Sequence, residues 1–150
     1  MLAYRIPREP STPRIAVWRK LRRLGVVQVL DGLVALPADA RTREQLEWLA
    51  EEVLEAGGQA TVWLARLGSA AAERAVAARM AGAVAAEYRQ IAGAAVAARA
   101  EPDQAVRRRT LARLRRELRR VGGRDFFPPP ERERAVAAVA ALAELLEVPR

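Results

Sequence analysis

A short stretch rich in arginine gives the clearest indication of what this sequence can bind. Between positions 107 and 120 there are eight arginines and a single acid, Glu117, so the stretch carries 8 − 1 = +7. A guanidinium group stays charged in proteins and forms paired hydrogen bonds to phosphates and carboxylates. The chemistry predicted for this stretch is therefore the binding of a partner with many negative charges.

A second basic stretch lies near the N terminus, where residues 11–24 contain five basic residues and no acid. The chain as a whole carries a net charge of +8, which favours an anionic partner, most commonly nucleic acid. We predict that residues of both stretches contact nucleic acid: Arg14, Arg19, Lys20, Arg22 and Arg23 in the first, and Arg108, Arg109, Arg113, Arg115, Arg116, Arg119 and Arg120 in the second.

The residue types that are missing exclude several kinds of site. The sequence has no cysteine and no histidine, so disulfides, thiol redox chemistry, zinc sites and histidine-based acid–base catalysis are excluded within this chain. We therefore expect a protein that is not an enzyme and has no metal and no cofactor. No apolar run approaches the roughly 20 residues of a membrane span, and the first residues lack the apolar region of a signal peptide. The expected location is the cytoplasm, with no membrane partner.

The first basic stretch lies on a predicted helix that follows a strand. Residues 2–6 alternate between apolar and other residues with a period of two, which is typical of a strand. The next pattern predicts a helix that is capped by Ser11 or Thr12, runs to about Leu24 and ends at Gly25.

Two more strands, a second helix and a fourth strand complete this half of the chain. The runs VVQVL and LVALP are separated by Asp31-Gly32, which is typical of a hairpin turn. A helix from about Thr42 to Ala56 follows, with Thr42 at the cap position of a capping box, and residues 60–66 predict the last strand.

The resulting order, β-α-β-β-α-β, predicts a ferredoxin-like unit over residues 1–67, in which both helices lie on one face of a four-stranded antiparallel sheet. Residues 69–150 show no strand pattern and predict an alanine- and arginine-rich region of three helices. The fold class is therefore α+β, a ferredoxin-like unit followed by an all-helical region. Apolar stripes mark the three helices: Val76, Met80, Val84, Tyr88, Ile91 and Ala95 in the first, Val106, Thr110, Leu111, Leu114, Leu118 and Val121 in the second, and Val136, Val139, Leu142, Ala143 and Leu146 in the third.

The arginine-rich helix needs counter-charge, because like charges four residues apart destabilise a helix by a few tenths of a kcal/mol per pair. Three sources are open. An acidic helix of the same chain or of a dimer mate could pair with it, a phosphate backbone could do so, or the arginines could form a solvated face with scattered salt bridges. The predicted helix over residues 42–56 is the acidic candidate, with Glu44, Glu47, Glu51, Glu52 and Glu55.

The three tryptophans are expected in two environments. Trp48 lies off the apolar stripe of its helix, which predicts either an exposed side chain of the kind found at interfaces or one that covers a strand edge or contacts the C-terminal helices. Trp18 and Trp63 fit the apolar patterns of their elements and are expected in the core.

Two segments carry a resemblance to a known family. "YRIPREPSTPRIAVWRKLRRLGVVQVLDGLVALPADARTREQLEWLAEEVLEAGGQATVWLAR" resembles the N-terminal region of the chromate-resistance regulator family ChrB, and "RDFFPPPERERAVAAVAAL" resembles the end of that region. The likeness extends from Tyr4 to about Leu146. It implies a cytoplasmic bacterial regulator of chromate-resistance genes, with this region as the part that binds double-stranded promoter DNA.

Fuller members of that family continue into a second domain that is thought to sense chromate. Because this sequence stops at Arg150, we expect that the sensing domain is either absent or a separate protein. The expected partners are such a separate chromate-sensing domain or protein and a second copy of the chain.

The first half is also similar to the central domain of the phenylacetate repressor PaaX and to the small ferredoxin-like nuclease of CRISPR adaptation. That nuclease holds metal with an aspartate at the end of its first strand, where this sequence reads Ile6-Pro7-Arg8. Because arginine cannot coordinate a divalent cation, nuclease activity is not expected.

Two functions follow. The first is a DNA-binding transcriptional regulator that uses the basic helices. The second is a non-enzymatic homodimeric scaffold in which the basic helix pairs with an acidic one.

Overall fold

The computed structural model of the chain describes residues 1–147 and divides into two compact units, Met1–Val76 and Ala77–Arg150. The protein is α+β, as predicted, and the predicted boundary between residues 67 and 69 stays a prediction. The described residues form β1 (Leu2–Arg5), α1 (Ser11–Leu24), β2 (Val27–Leu30), β3 (Leu33–Ala35), α2 (Ala40–Glu55), β4 (Gln59–Val62), α3 (Ala70–Ala98), α4 (Gln104–Gly122) and α5 (Glu131–Glu147).

The four strands form one sheet in the order β2-β3-β1-β4, and every neighbouring pair is antiparallel. In the centre, Leu2 of β1 lies opposite Val34 of β3 and Val62 of β4. The Asp31-Gly32 hairpin is confirmed, and Gly32 has a φ of 75°. A left-handed residue of this kind favours glycine, and a side-chain carbon here would lie 2.5 Å from the Tyr4 carbonyl oxygen.

Helices α1 and α2 cover one face of this sheet. Leu2 and Tyr4 of β1, and Ile6 just after it, all pack into the core beneath these helices. The helices contribute to the same core with Val17 and Leu21 from α1, and Leu46, Leu49, Ala50 and Val53 from α2. Burial on this side leaves the opposite faces of α1 and α2 outward.

The core positions predicted for two tryptophans are wrong. Trp18 is 51% exposed, because it lies about 100° around α1 from the buried Val17. Trp63 is 58% exposed, because it follows Val62 and successive strand residues point to opposite faces. For Trp48 the exposed alternative is confirmed, since it is 59% exposed.

The starts of α1 and α2 also differ from prediction. Helix α1 begins after Pro10 and has no side-chain cap, so neither Ser11 nor Thr12 plays that role. Helix α2 begins after Asp39, whose carboxylate accepts a hydrogen bond from the Thr42 amide at 2.7 Å. Thr42 is therefore the third residue of the capping box and not its cap. The predicted C-terminal stop of α1 is confirmed, because Gly25 adopts φ 75°.

In the second unit, α3, α4 and α5 enclose one apolar core. Val84, Tyr88, Ile91 and Ala95 of the predicted α3 stripe are buried. In α5 the predicted Val136 is 50% exposed and its neighbour Ala135 is fully buried instead. A small residue such as alanine allows two helices to approach closely. A pattern of larger apolar residues does not identify such a position. The core also contains Leu111, Leu114 and Val121 of α4, and Val139, Leu142 and Ala143 of α5. None of the helices in residues 1–147 is long and apolar enough to cross a membrane.

Candidate nucleic-acid interface

Helix α4 gathers seven of the predicted arginines on its outward side. Leu111, Leu114 and Val121 are buried on the inner side. At 100° per residue, the seven arginines occupy an arc of about 160° opposite to these three, and they extend about 18 Å along the helix axis. All seven are exposed: Arg108, Arg109, Arg113, Arg115, Arg116, Arg119 and Arg120.

Most of these guanidinium groups have no acidic partner in the part of the chain that the structure describes. Arg113 Nη1 lies 2.8 Å from the Glu117 Oε1 atom, one turn along the same helix. Within residues 1–147, the other six have no carboxylate within the 4.0 Å of a salt bridge. Pairing with an acid of the described chain therefore does not balance the charge of α4.

Arg107 belongs to the same stretch but has a structural role. Its Nη1 atom donates to the Glu101 carbonyl oxygen in the turn before α4. The start of α4 is fixed further by Asp103, whose Oδ1 atom accepts from the Ala105 amide at 2.7 Å. Arg107 therefore stabilises the entry to the helix, while the seven arginines beyond it face outward.

The basic residues of α1 lie in a different electrostatic setting. Lys20 Nζ lies 2.5 Å from Glu52 Oε1 of α2. The Arg22 guanidinium lies over the Trp18 ring, 4.8 Å from its centroid, which is a cation–π contact. Arg14, Arg19 and Arg23 are exposed. Two of the five predicted cations of α1 thus have partners within the protein.

Helix α2 adds negative charge beside α1, because the two helices pack against each other. Glu44, Glu51 and Glu55 are exposed on α2, and helical spacing places them on its outward side. A phosphate backbone lying over this layer would meet both signs of charge. The long-range attraction for a polyanion is therefore stronger over α4 than over α1.

A polar cluster at the end of α4 holds the following turn to α3. The Arg124 guanidinium makes two hydrogen bonds of 2.6 Å to the Glu87 carboxylate. The Tyr88 hydroxyl donates to Asp125 Oδ2 at 2.9 Å, and the Asp125 side chain is fully buried. Arg132 Nη1 lies 3.9 Å from the same oxygen. Burial and the contact with Asp125 raise the pKa of Tyr88 to about 12.

Sequence reasoning singled out "RDFF" as a motif but did not find this role, because each partner lies 37 residues away. The two phenylalanines of the motif are only partly covered, and Phe127 is 39% exposed. Within residues 1–147, no three acidic side chains come together as a site that could hold a metal ion.

Comparison with known families finds a match. A family model described as "Protein ChrB, N-terminal" matches residues 14–148. The match includes both basic helices and the polar cluster. No curated protein and no solved structure matches the chain significantly.

Proposed function

Because the chain belongs to the family of ChrB N-terminal regions, we propose that it is a DNA-binding transcriptional regulator of a chromate-resistance system. The outward face of α4 supplies the main contacts to double-stranded promoter DNA. As part of the same proposal the protein acts in the cytoplasm, has no catalytic activity, and works with a chromate-sensing domain or protein.

The observation that supports DNA binding is the row of arginines on α4, six of which have no salt-bridge partner within residues 1–147. The seven arginines span about 18 Å, and duplex DNA carries one phosphate per about 1.7 Å of its axis. Over that length the two strands together carry about ten phosphates, about five on each strand, so the seven arginines have enough phosphates within this length when α4 faces both strands. Arginine suits this task because its planar group forms two parallel hydrogen bonds to one phosphate.

The α1 cations remain secondary candidates for the same partner. Arg14, Arg19 and Arg23 are free to bind a phosphate, but the α2 carboxylates weaken attraction there. Phosphate contacts set position and affinity and do not read base sequence, so promoter choice has to come from other contacts.

The test is a binding titration with upstream DNA of the gene at two salt concentrations. Seven neutralised phosphates predict that log K falls with log salt with a slope of about −6. Replacing Arg115, Arg116, Arg119 and Arg120 together with Ala should reduce that slope by about 4 and weaken binding on the order of 100-fold at the lower salt concentration.

A matched control removes the same charge elsewhere. Arg8, Arg41, Arg66 and Arg74 are exposed and lie outside α1 and α4, and their joint replacement with Ala should leave the slope nearly unchanged. Absence of binding by the wild-type protein at low salt, or equal losses in the two variants, would contradict the proposal.

The second candidate function is a non-enzymatic homodimeric scaffold. It is favoured by the exposed Trp48 and by the carboxylates of Glu44, Glu51 and Glu55 on α2, which have no basic partner within residues 1–147. In this alternative α4 of one copy pairs with α2 of another. The α4 variant would then dissociate the dimer, which sedimentation velocity measures directly.

For the fold, we propose that the first unit is ferredoxin-like. The strand order β2-β3-β1-β4 with antiparallel neighbours supports this. Burial of Leu2, Tyr4 and Ile6 beneath α1 and α2 gives further support, because both helices of that unit lie on one face of the sheet. An experimental structure of residues 1–76 would test it.

A further inference from the structure

We propose that the outward layer of α1 and α2 is a dimer interface with a second copy of this chain. In this interface α1 of each copy lies on α2 of the other. The proposal concerns the first unit alone and does not depend on DNA binding. In this proposal the α2 carboxylates of one copy pair with α1 of the other, whereas in the scaffold alternative they pair with α4.

Charge complementarity within the layer is the first argument. Helix α1 presents Arg19, Arg22 and Arg23 outward and contains no acid, while α2 presents Glu51 and Glu55. Within residues 1–147, none of these five side chains forms a salt bridge. One helix is thus positive and its neighbour negative along their outward sides.

The topology makes this pattern self-complementary. Strands β1 and β2 are both antiparallel to β3. Helix α1 runs opposite to β1, because it connects β1 to the parallel strand β2, and α2 runs opposite to β3. The two helices are therefore antiparallel to each other. A two-fold axis that lies parallel to the helices and midway between them turns the layer over. It places α1 on the partner's α2 and, by the same operation, α2 on the partner's α1.

The register also matches. The Lys20–Glu52 contact puts these two residues at one level along the helices. The two-fold operation keeps that level, so Arg19 comes to lie between the levels of Glu51 and Glu55, about 3 Å from each along the axis. Arg23 comes to lie between the levels of Trp48 and Glu51. Each copy therefore offers guanidinium groups to carboxylates and a tryptophan face to an arginine.

Exposed apolar side chains in the layer supply the non-polar part of the contact. Trp48 is 59% exposed and Ile15 is 42% exposed, and both lie on outward sides. Two helices side by side, each about 10 Å wide and about 20 Å long, give a footprint of about 400 Å² per copy. That area is small for a specific interface, so we expect a dimer with a dissociation constant in the micromolar range that weakens as salt rises.

The decisive experiment is a charge exchange followed by sedimentation velocity at low salt. Arg19→Glu with Arg23→Glu reverses the two α1 charges that face the partner's α2, and Glu51→Arg with Glu55→Arg reverses the two α2 charges that face the partner's α1. Each double variant alone should be monomeric, with dimer affinity reduced at least tenfold. An equimolar mixture should restore the dimer, because the reversed α1 charges of one variant then face the reversed α2 charges of the other.

The matched control, Arg66→Glu with Arg74→Glu, changes the net charge by the same amount outside the layer and should remain dimeric. Circular dichroism checks that every variant is folded. A wild-type protein that stays monomeric at high concentration and low salt, or a mixture that stays monomeric, overturns the proposal. So does a dimer that is lost in the α4 variant and retained in the α1 variant. DNA binding of the α1 variant is measured in parallel, so failure of the proposed function is recognised separately.

Discussion

At the scale of single residues, the buried contact between Tyr88 and Asp125 links protonation to stability. The pKa of Tyr88 is raised from 10.0 to about 12 by burial first and by the Asp125 contact second. Since the raised pKa belongs to the folded state, the contribution of Tyr88 is fully present below pH 10 and is lost between pH 10 and 12.

We therefore expect the free energy of unfolding to fall by about 1.4 kcal/mol per pH unit in that window from this group. The Tyr88→Phe variant lacks the ionising hydroxyl and should show a smaller slope between pH 10 and 12, whatever its stability at neutral pH. Urea unfolding of both proteins at several pH values measures the difference. Identical slopes would mean that Tyr88 does not carry this dependence.

The Arg124–Glu87 pair is a second residue-scale contributor. The Arg124 side chain is only 15% exposed and forms two hydrogen bonds to one carboxylate. We expect Arg124→Ala to lower the free energy of unfolding by about 2 kcal/mol, because a partly buried bidentate pair is worth more than an exposed one.

A pair on α4 provides the control for this change. The side chains of Arg113 and Glu117 form a salt bridge of 2.8 Å, but the Arg113 side chain is 50% exposed. Arg113→Ala should therefore cost less than about 0.5 kcal/mol. Equal losses in the two variants would show that the burial of Arg124 adds nothing. Both partners of the Arg124–Asp125 turn lie on α3 with no local sequence signal, which is why sequence reasoning missed them.

At the scale of elements, the start of α2 shows what local patterns can predict. Asp39 and Thr42 both have side chains that cap helices, and the capping-box spacing of Thr42 and Gln45 predicts the later residue as the cap. The structure uses both, since Thr42 Oγ1 accepts from the Asp39 amide at 3.1 Å and donates to the Pro37 carbonyl oxygen at 2.6 Å. The hydrogen bond from the Thr42 amide lowers the pKa of Asp39. The stabilisation by the ionised Asp39 carboxylate is therefore present above the ordinary pKa of aspartate and is lost as the pH falls through the lowered pKa.

Replacing Thr42 tests the cap without changing side-chain shape. Thr42 is 1% exposed, so Thr42→Val keeps the packing but leaves the Asp39 amide and the Pro37 carbonyl without their partner. We expect a loss of about 1 to 2 kcal/mol in the free energy of unfolding. Thr42→Ser retains the hydroxyl and should lose less. Chemical denaturation compares the three proteins, and a valine variant as stable as wild type would argue against the cap.

The element-scale predictions succeeded where a glycine at a turn or a long periodic pattern determines the feature. The Asp31-Gly32 turn, the Gly25 stop and the apolar stripe of α3 are examples. Predictions failed where the burial of a side chain depends on which other elements pack against it. Trp18 and Trp63 sit beside apolar patterns, yet only the sheet and helix layers decide which side of each element is covered.

At the scale of the whole molecule, the distribution of charge separates the two candidate surfaces. The sequence predicts that basic residues cluster on α1 and α4, but it does not reveal which of them are already paired. That depends on three-dimensional neighbours such as Glu52 for Lys20 and Trp18 for Arg22. Among the described residues, six arginines of α4 have no salt-bridge partner, whereas α1 has a neighbouring acidic helix.

The α4 face should also lower the stability of the free protein. Arg115 and Arg119, and likewise Arg116 and Arg120, are like charges four residues apart, and each such pair destabilises a helix by a few tenths of a kcal/mol. Replacing these four arginines with Ala should therefore raise the free energy of unfolding by about 0.5 to 1 kcal/mol at low salt while it weakens DNA binding. Added salt should reduce this gain in stability, because it screens the repulsion in the wild-type protein.

If these arginines instead paired with carboxylates of the same protein, their replacement would lower the free energy of unfolding. Thermal or urea unfolding of the wild type and this variant at two salt concentrations distinguishes the two cases, and a less stable variant would indicate that these arginines serve structure.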